Sequence, residues 1–170
     1  MLVGGFYVLA SLNESDGSVV NQNESDQRTG EDFIFTSVDG NEIHLSTYRG
    51  KIVVLDMWAT WCNPCLSQII ELQKIYDQYS RDTLEIFSVD IDPSETLQQI
   101  KDFRDSFKLQ KGIDLNWILG KDDGSIWQKY MISGGIPTLC IFDQEGKLFY
   151  QNEGLENAVR LSQKIDDLLD

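Results

Sequence analysis

The segment Asp56-Met57-Trp58-Ala59-Thr60-Trp61-Cys62-Asn63-Pro64-Cys65 decides the fold of this chain. The residues before it, Ile52 to Leu55, are aliphatic without interruption, which indicates a strand buried on both faces in the middle of an α/β sheet. After Pro64 the apolar residues recur at helical spacing, at Cys65, Ile69, Leu72, Ile75, Tyr76 and Tyr79. The two cysteines of a Cys-x-x-Cys pair therefore lie where a buried strand ends and a helix begins.

This position favours ionisation of the first thiol. The first N–H groups of a helix have no intrahelical partner, and the aligned backbone dipoles favour negative charge there. In Cys-x-x-Cys pairs at helix N-termini the thiol pKa falls from about 8.5 into a range of roughly 3.5 to 7.5. We therefore predict Cys62 as the nucleophile and Cys65, one turn further on and facing inward, as the resolving thiol. Pro64 suits the first helical turn because its missing N–H had no partner there.

Asp56 is a carboxylate inside an otherwise apolar run, between Leu55 and Met57. Burying an ionised carboxylate is costly, so we expect the pKa of Asp56 to be raised and the group to be protonated part of the time. Placed behind Cys65, it could take the proton of that thiol as the thiol attacks a mixed disulfide. The alternative is a carboxylate at the end of the strand, already in water.

Two motifs resemble the thioredoxin superfamily. Asp56, Trp58, Ala59, Trp61, Cys62, Pro64 and Cys65 resemble its active-site segment. The segment Gly135-Ile136-Pro137-Thr138 resembles its cis-proline loop. Within the superfamily the chain most resembles the membrane-tethered thiol-disulfide oxidoreductases of the TlpA and ResA group, whose leading hairpin is matched around the Asp39-Gly40 turn. The resemblance covers about residues 31 to 170.

This resemblance implies an α/β thioredoxin-like fold, with a central mixed β-sheet flanked by helices, an N-terminal β-hairpin and a strand-helix insertion. It implies a cis peptide bond at Pro137, and substrate binding by Trp61, Pro137 and the Ile136 backbone. It gives Trp58, Asn63 and Pro64 structural roles at the site. It implies no metal and no cofactor other than the redox-active Cys62–Cys65 disulfide.

The N-terminal part differs from the rest of the chain in composition. Met1 to Leu12 is mostly apolar but shorter than the roughly 20 residues of a membrane span, and no basic residue precedes it. We interpret it as the end of a clipped signal anchor or as the product of a late start codon, with a stray apolar segment as the alternative. Asn13 to Gly30 is polar and predicts a flexible tether. The domain organisation expected is a stub and tether over 1–30 and one thioredoxin-like domain over 31–170.

The charge of the chain limits its partners. It has 28 Asp and Glu against 14 Lys and Arg, a formal net charge of −14. Nucleic acid binding requires a basic surface, so we exclude nucleic acid as a partner. At 170 residues the chain is sized for one domain, and we expect a monomer.

Four other residues need an interpretation. His44, the single histidine, alternates with Ile43 and Leu45 and is predicted to be an exposed strand residue. Cys140 lies in an apolar strand pattern and is predicted to be a small buried side chain. Asp92-Pro93-Ser94-Glu95 has the pattern of a helix start with Asp92 as the cap. Trp127 is expected to face inward from a short helix.

Three functional classes fit a Cys-x-x-Cys pair. The first is a thiol-disulfide oxidoreductase acting on protein disulfides. The second is a peroxidase of the peroxiredoxin type, whose motif has Thr three residues before the reactive cysteine, where this chain has Ala59. The third is a zinc or copper binding module, for which Cys140 and His44 are far from the pair in sequence.

The stub, the tether and the resemblance together favour an extracytoplasmic, membrane-anchored protein. In that setting a membrane electron donor keeps the pair reduced, and the pathway is one such as cytochrome c maturation, with apocytochrome c as a substrate. The alternative is a soluble cytoplasmic thioredoxin-like reductant that depends on a thioredoxin reductase.

Overall fold

The computed structural model describes residue 30 and residues 32–170. These described residues contain seven strands: β1 (Ile34–Ser37), β2 (Glu42–His44), β3 (Ile52–Trp58), β4 (Leu84–Asp90), β5 (Ile118–Lys121), β6 (Thr138–Phe142) and β7 (Leu148–Glu153). The same part of the chain contains four α-helices: α1 (Asn63–Gln78), α2 (Leu97–Lys111), α3 (Ser125–Tyr130) and α4 (Ala158–Asp166). A 3-10 turn, Leu45–Tyr48, follows β2.

The strands form one mixed sheet in the order β2-β1-β5-β4-β3-β6-β7. The three central strands β3, β4 and β5 run parallel, while β1 and β6 flank them in the antiparallel sense. All seven residues of β3 are buried, as expected for a strand covered on both faces. The sheet confirms the predicted fold class, and β1, β2 and the Gly40 turn confirm the leading hairpin.

The core is divided by the sheet into two apolar clusters. One face carries α1, α2 and α4, packed on Val54 and Trp58 of β3. The other face carries α3 and the residues around the hairpin, packed on Val53 and Leu55. Alternate residues of β3 therefore face different clusters, which places Asp56 on the α1 face with Val54 and Trp58.

Two local predictions are wrong. Helix α2 is capped by Thr96 in a reciprocal capping box with Gln99, so Asp92 is not its cap. Trp127 does not face the core, because Ile126 and Tyr130, four residues apart on α3, take the inward positions. Trp127 is half-buried beside them.

Within residues 30 and 32–170, no helix is both long and apolar enough to cross a bilayer. The apolar stub and nearly all of the tether predicted over 1–30 lie outside the described residues. The described chain from residue 32 onward forms one sheet with its helices.

Candidate active site

The Cys-x-x-Cys pair lies at the junction of β3 and α1, as the sequence predicts. Cys62 is the N-cap of α1 and Cys65 lies in its first turn. The two are joined in a disulfide bond. The Cys65 N–H, which donates to the Cys62 carbonyl at 3.0 Å, also donates to Cys62 Sγ at 3.2 Å, so the first sulfur is held against an N–H of the first helical turn. Cys62 is 4% exposed and Cys65 fully buried, so Cys62 is the sulfur nearer the surface.

The loop before β6 closes over this disulfide. The Ile136–Pro137 peptide bond is cis, as expected from the resemblance. The carbonyl oxygen of Ile136 is 3.8 Å from Cys62 Sγ. Thr138 Oγ1 donates to the carbonyl of Gly135 at 2.7 Å and fixes the loop. The fold thus brings together two motifs that are 74 residues apart in the sequence.

Asp56 is fully buried on the face that carries α1 and Cys65. Burial raises the pKa of Asp56 to about 7, against a smaller opposing effect of the hydrogen bond from Ser88. That bond, from Ser88 Oγ to Asp56 Oδ2, is 2.9 Å long, and Oδ1 has no donor among the described residues. The raised pKa predicted from the sequence is confirmed, and the alternative of a solvated carboxylate is excluded.

Sequence reasoning missed the two residues that support Asp56. Trp117 Nε1 donates to Ser88 Oγ at 3.0 Å, and Ser88 in turn donates to the carboxylate. Ser88 faces Asp56 across the parallel β3–β4 pair. A signal was present, because Ser88 is a polar residue inside the apolar run that forms β4. Nothing comparable marked Trp117, which precedes β5 and reaches Ser88 only through the fold.

The structural residues of the site occupy the positions expected of them. Trp58 is fully buried and its ring packs on Phe103 of α2, with centroids 4.8 Å apart. Asn63 and Pro64 are the first two residues of α1 and are exposed. Their contributions to the chemistry stay predictions.

Acidic side chains hold the segment between β3 and Cys62. The indole N–H of Trp61 donates to Asp92 Oδ2 at 2.7 Å, although the ring itself is 63% exposed. The backbone N–H of Thr60 donates to Glu95 Oε2 at 3.1 Å, and the Thr60 hydroxyl donates to Oε1. The segment Asp92 to Glu95, predicted as a helix start, is therefore a loop that supports the active-site segment.

A groove of about 690 Å³ opens beside Trp61 and Ile136. Its walls combine apolar side chains with a few charged ones; they are Trp61, Ile91, Pro93, Trp127 and Ile136, together with Asp92, Lys121, Asp122 and Asp123. One wall comes from the turn between β5 and α3, inside the predicted strand-helix insertion. Trp61 directly precedes Cys62, and the carbonyl of Ile136 is 3.8 Å from Cys62 Sγ, so the groove lies beside the disulfide.

The remaining cysteine and histidine lie away from the pair. Cys140 is fully buried among the side chains on the other face of the sheet, and burial raises its thiol pKa to about 12. His44 is partly exposed on β2, where its hydrogen bond to Glu42 raises its pKa. In the part of the chain that the structure describes, no three His, Cys, Asp or Glu side chains are grouped so that they could hold a metal ion.

Comparison with known proteins agrees with this geometry. Residues 27–151 match the AhpC/TSA family. The thiol-disulfide oxidoreductase ResA of Bacillus thuringiensis strain Al Hakam is 30% identical over 130 residues, which cover 76% of this chain and 70% of that protein. ResA of Bacillus thuringiensis subsp. konkukian strain 97-27 is 27% identical over 133 residues, covering 78% and 72%.

A solved structure with a similar fold is the exposed lipoprotein thioredoxin Etrx1 of Streptococcus pneumoniae strain TIGR4. It has a TM-score of 0.65 and 29% identity, and the match covers 81% of this chain and 100% of that one. The disulfide at the start of α1, the cis-proline loop against it and these similarities agree with one another. The chain therefore belongs to the AhpC/TSA family, and within it the chain is similar to the thiol-disulfide oxidoreductases of the ResA type.

Proposed function

We propose that this thiol-disulfide oxidoreductase reduces disulfides in exported proteins at the outer face of the cytoplasmic membrane, with apocytochrome c among its substrates. The observation that carries the reductive direction is the charge around the disulfide. Asp92 and Glu95 bind the two residues that precede Cys62, and Asp56 is buried on the face that carries Cys65. Lys121, whose Nζ donates to the Asp92 carbonyl, is the one basic residue among the described residues that line the adjacent groove.

Acidic surroundings favour the disulfide over the thiolate. A disulfide becomes a stronger oxidant when its reduced form is stabilised, so groups that destabilise the thiolate lower the reduction potential. The negative charges beside Cys62 act in that direction. The helix N-terminus stabilises the Cys62 thiolate and so opposes the effect of these charges, which leaves enough thiolate for attack.

The residues present can carry out the complete exchange. The Cys62 thiolate attacks one sulfur of the substrate disulfide, forming a mixed disulfide and releasing the other substrate sulfur as a thiolate. Cys65 then passes its proton to the Asp56 carboxylate and attacks Cys62 Sγ, which forms the intramolecular disulfide and releases the second substrate thiolate. With a pKa of about 7, Asp56 can accept that proton and return it to solvent near neutral pH.

The groove beside Cys62 suits a protein segment rather than a small disulfide. Its apolar walls fit a large apolar side chain next to the substrate cysteine, and Asp92 and Asp123 at its edge suit a neighbouring basic residue. We propose that the segment flanking the substrate disulfide binds here, with its backbone against Ile136.

The membrane location is supported by kinship and composition. The pneumococcal relative is an exposed lipoprotein, and an apolar segment followed by a polar one precedes the described domain in this chain. A membrane electron donor would then reduce the Cys62–Cys65 pair. Fractionation of cells tests this: the protein is expected in the membrane pellet, whereas recovery in the cytosol together with dependence on thioredoxin reductase would support the alternative.

The reduction potential of the Cys62–Cys65 pair tests the direction of electron flow. The protein is equilibrated in defined thiol-disulfide buffers and its free thiols are trapped. A value near or below about −220 mV supports a reductant. A value near about −120 mV would mean an oxidant that inserts disulfides, and the reductive proposal would be wrong.

Substrate trapping tests the protein substrates. In a Cys65→Ser variant the mixed disulfide at Cys62 cannot be resolved, so covalent partners should accumulate and should disappear on reduction. The Cys62→Ser variant is the matched control and should trap none. Absence of trapped partners, with rapid peroxide consumption by Cys62 instead, would favour the peroxidase.

A further inference from the structure

Glu95 is tied to the active-site segment rather than to a helix. Both of its carboxylate oxygens accept hydrogen bonds from Thr60, one from the backbone N–H and one from the hydroxyl. Thr60 lies two residues before Cys62, and Glu95 is only 8% exposed. The position of Glu95 therefore fixes the chain as it leaves β3 toward the nucleophile.

Behind Glu95 lies a second carboxyl, Asp90, which is fully buried at the end of β4 and faces Trp58 of β3. Its Oδ1 accepts the N–H of Asp92 at 2.9 Å. Its Oδ2 has no donor among the described residues, while its side chain interacts with that of Glu95. A carboxylate only accepts hydrogen bonds, so two ionised groups here would leave a buried oxygen unpaired and would repel each other.

The charged groups around the pair do not remove this conflict. Lys121 of β5 attracts Asp90, but its Nζ donates to the carbonyl of Asp92. Asp92 adds a further negative charge beside Glu95. The Asp122 side chain accepts the N–H groups of Ile126 and Trp127. One proton held between Asp90 and Glu95 is the arrangement that satisfies every oxygen.

We propose that Asp90 and Glu95 share one proton, and that this protonated pair positions the Thr60 to Cys62 segment for attack at the disulfide. Asp90 and Glu95 are then positioning residues, since they act on Cys62 through Thr60. The proposal depends on thiol-disulfide exchange at Cys62 but not on its direction. A reduction potential typical of an oxidant would overturn the reductive proposal but not the shared proton. Failure of the shared proton would likewise leave the reductive proposal intact.

The pair gives the site a dependence on pH. Burial, together with Glu95, raises the pKa of Asp90 to about 8, and the pKa of Glu95 is lowered by its hydrogen bonds from Asp90 and Thr60. Above that pH the shared proton is lost and the two carboxylates repel each other. Glu95 then loosens its hold on Thr60, and Cys62 loses its fixed position against Ile136.

The first test needs no variant. In the oxidised protein neither Cys62 nor Cys65 titrates, so the backbone amide signal of Thr60 in a nitrogen-proton correlation spectrum reports on the pair. Its chemical shift should change with a midpoint near pH 8. The same titration in Asp90→Asn should show no such midpoint, because the amide donates to Glu95 at every pH. A Thr60 signal that does not titrate between about pH 7 and pH 9.5, or that titrates equally in Asp90→Asn, would overturn the proposal.

The second test follows reactivity. The rate at which dithiothreitol reduces the oxidised protein is measured from pH 6 to 9.5 for wild type and Asp90→Asn. Dividing the wild-type rate by the variant rate at each pH cancels the effect of the ionisation of the reagent. Because a misplaced reacting atom lowers the rate strongly, the ratio should fall at least about threefold between pH 7 and pH 9. A ratio independent of pH would contradict the proposal.

Thr60→Val and Thr60→Ser form a matched pair for the same experiment. Valine removes the hydroxyl that donates to Glu95, and serine keeps it. The pH dependence of the rate should weaken in Thr60→Val and be restored in Thr60→Ser. Equal behaviour of the two variants would mean that this hydrogen bond does not transmit the state of the pair.

Discussion

At the scale of single residues, Asp56 combines a cost in stability with a use in catalysis. It is fully buried, and one of its oxygens is satisfied only by Ser88. Its pKa of about 7 lies above the ordinary value of 3.8, so protonation favours the folded state. The stability linked to that proton is complete below the ordinary value and is lost as the pH rises through about 7.

Replacing Asp56 with Asn tests both aspects. At pH 8 the free energy of unfolding of the oxidised variant should exceed that of wild type by on the order of 2 kcal/mol, because Asn carries no charge that has to be buried. The difference should vanish near pH 3.5. Release of substrate from the mixed disulfide should be slower, since Asn cannot take the Cys65 proton.

Denaturant unfolding at the two pH values and single-turnover release are the measurements. Ser88→Ala serves as the control, because it removes the hydrogen bond to Asp56 but keeps the carboxyl. That variant should raise the pKa of Asp56 further and lower stability at pH 8. A destabilised Asp56→Asn variant at pH 8 would contradict this account.

At the scale of elements, the short helix α3 determines what the groove can bind. Ile126 and Tyr130 anchor it in the core, so Trp127 is turned toward the groove, which it lines together with Trp61. The anchoring makes Trp127 a fixed wall. Its role is then in substrate binding and not in packing.

Trp127→Ala should weaken binding of protein substrates. Large aromatic residues at the centre of an interface contribute most of its energy, so KM for a protein disulfide should rise by about tenfold. The rate with dithiothreitol should stay close to wild type, because that reagent needs no groove. Gln128→Ala, an exposed position on the same helix, is the matched control. Equal loss with both substrates would assign Trp127 a structural role instead.

The sequence is informative where a residue contradicts its surroundings. Asp56 could be identified because a carboxylate interrupts an aliphatic strand, and the cysteines because a helix starts between them. The segment Asp92 to Glu95 led to a wrong prediction because Asp-Pro-Ser-Glu has the pattern of a helix start. The observed cap, Thr96 in a capping box with Gln99, lies four residues after Asp92. The contact of Glu95 with Thr60 spans 35 residues and depends on strand register, which local patterns do not contain.

At the scale of the whole molecule, raised and lowered carboxyl pKa values act in opposite directions on stability. Asp56 and Asp90 have pKa values raised to about 7 and about 8, so their contribution declines as the pH rises from about 4 to 8. Other carboxylates have lowered pKa values, among them Glu71, bound by Lys74, and Asp92, bound by Ser94. Their contribution declines as the pH falls through about 4.

We therefore expect the oxidised protein to be most stable on the acidic side of neutrality, between about pH 4 and pH 6. Its Tm should fall steadily from pH 6 to pH 8.5. In the double variant Asp56→Asn, Asp90→Asn this decline should be much smaller. Calorimetry across the pH range is the measurement, and a Tm that rises between pH 6 and pH 8.5 in the wild type would refute the prediction.

The two-sided core has a further consequence for the third cysteine. Cys140 is packed on the face of the sheet opposite the redox pair, with a thiol that scarcely ionises. A full sheet therefore separates it from any exchange at Cys62, and scrambled disulfides within the folded chain are blocked by distance and by chemistry. In the reduced, folded protein Cys62 is the thiol nearest the surface, so an alkylating reagent should label it well before the fully buried Cys140. The slow labelling of Cys140 then measures how often the sheet itself opens.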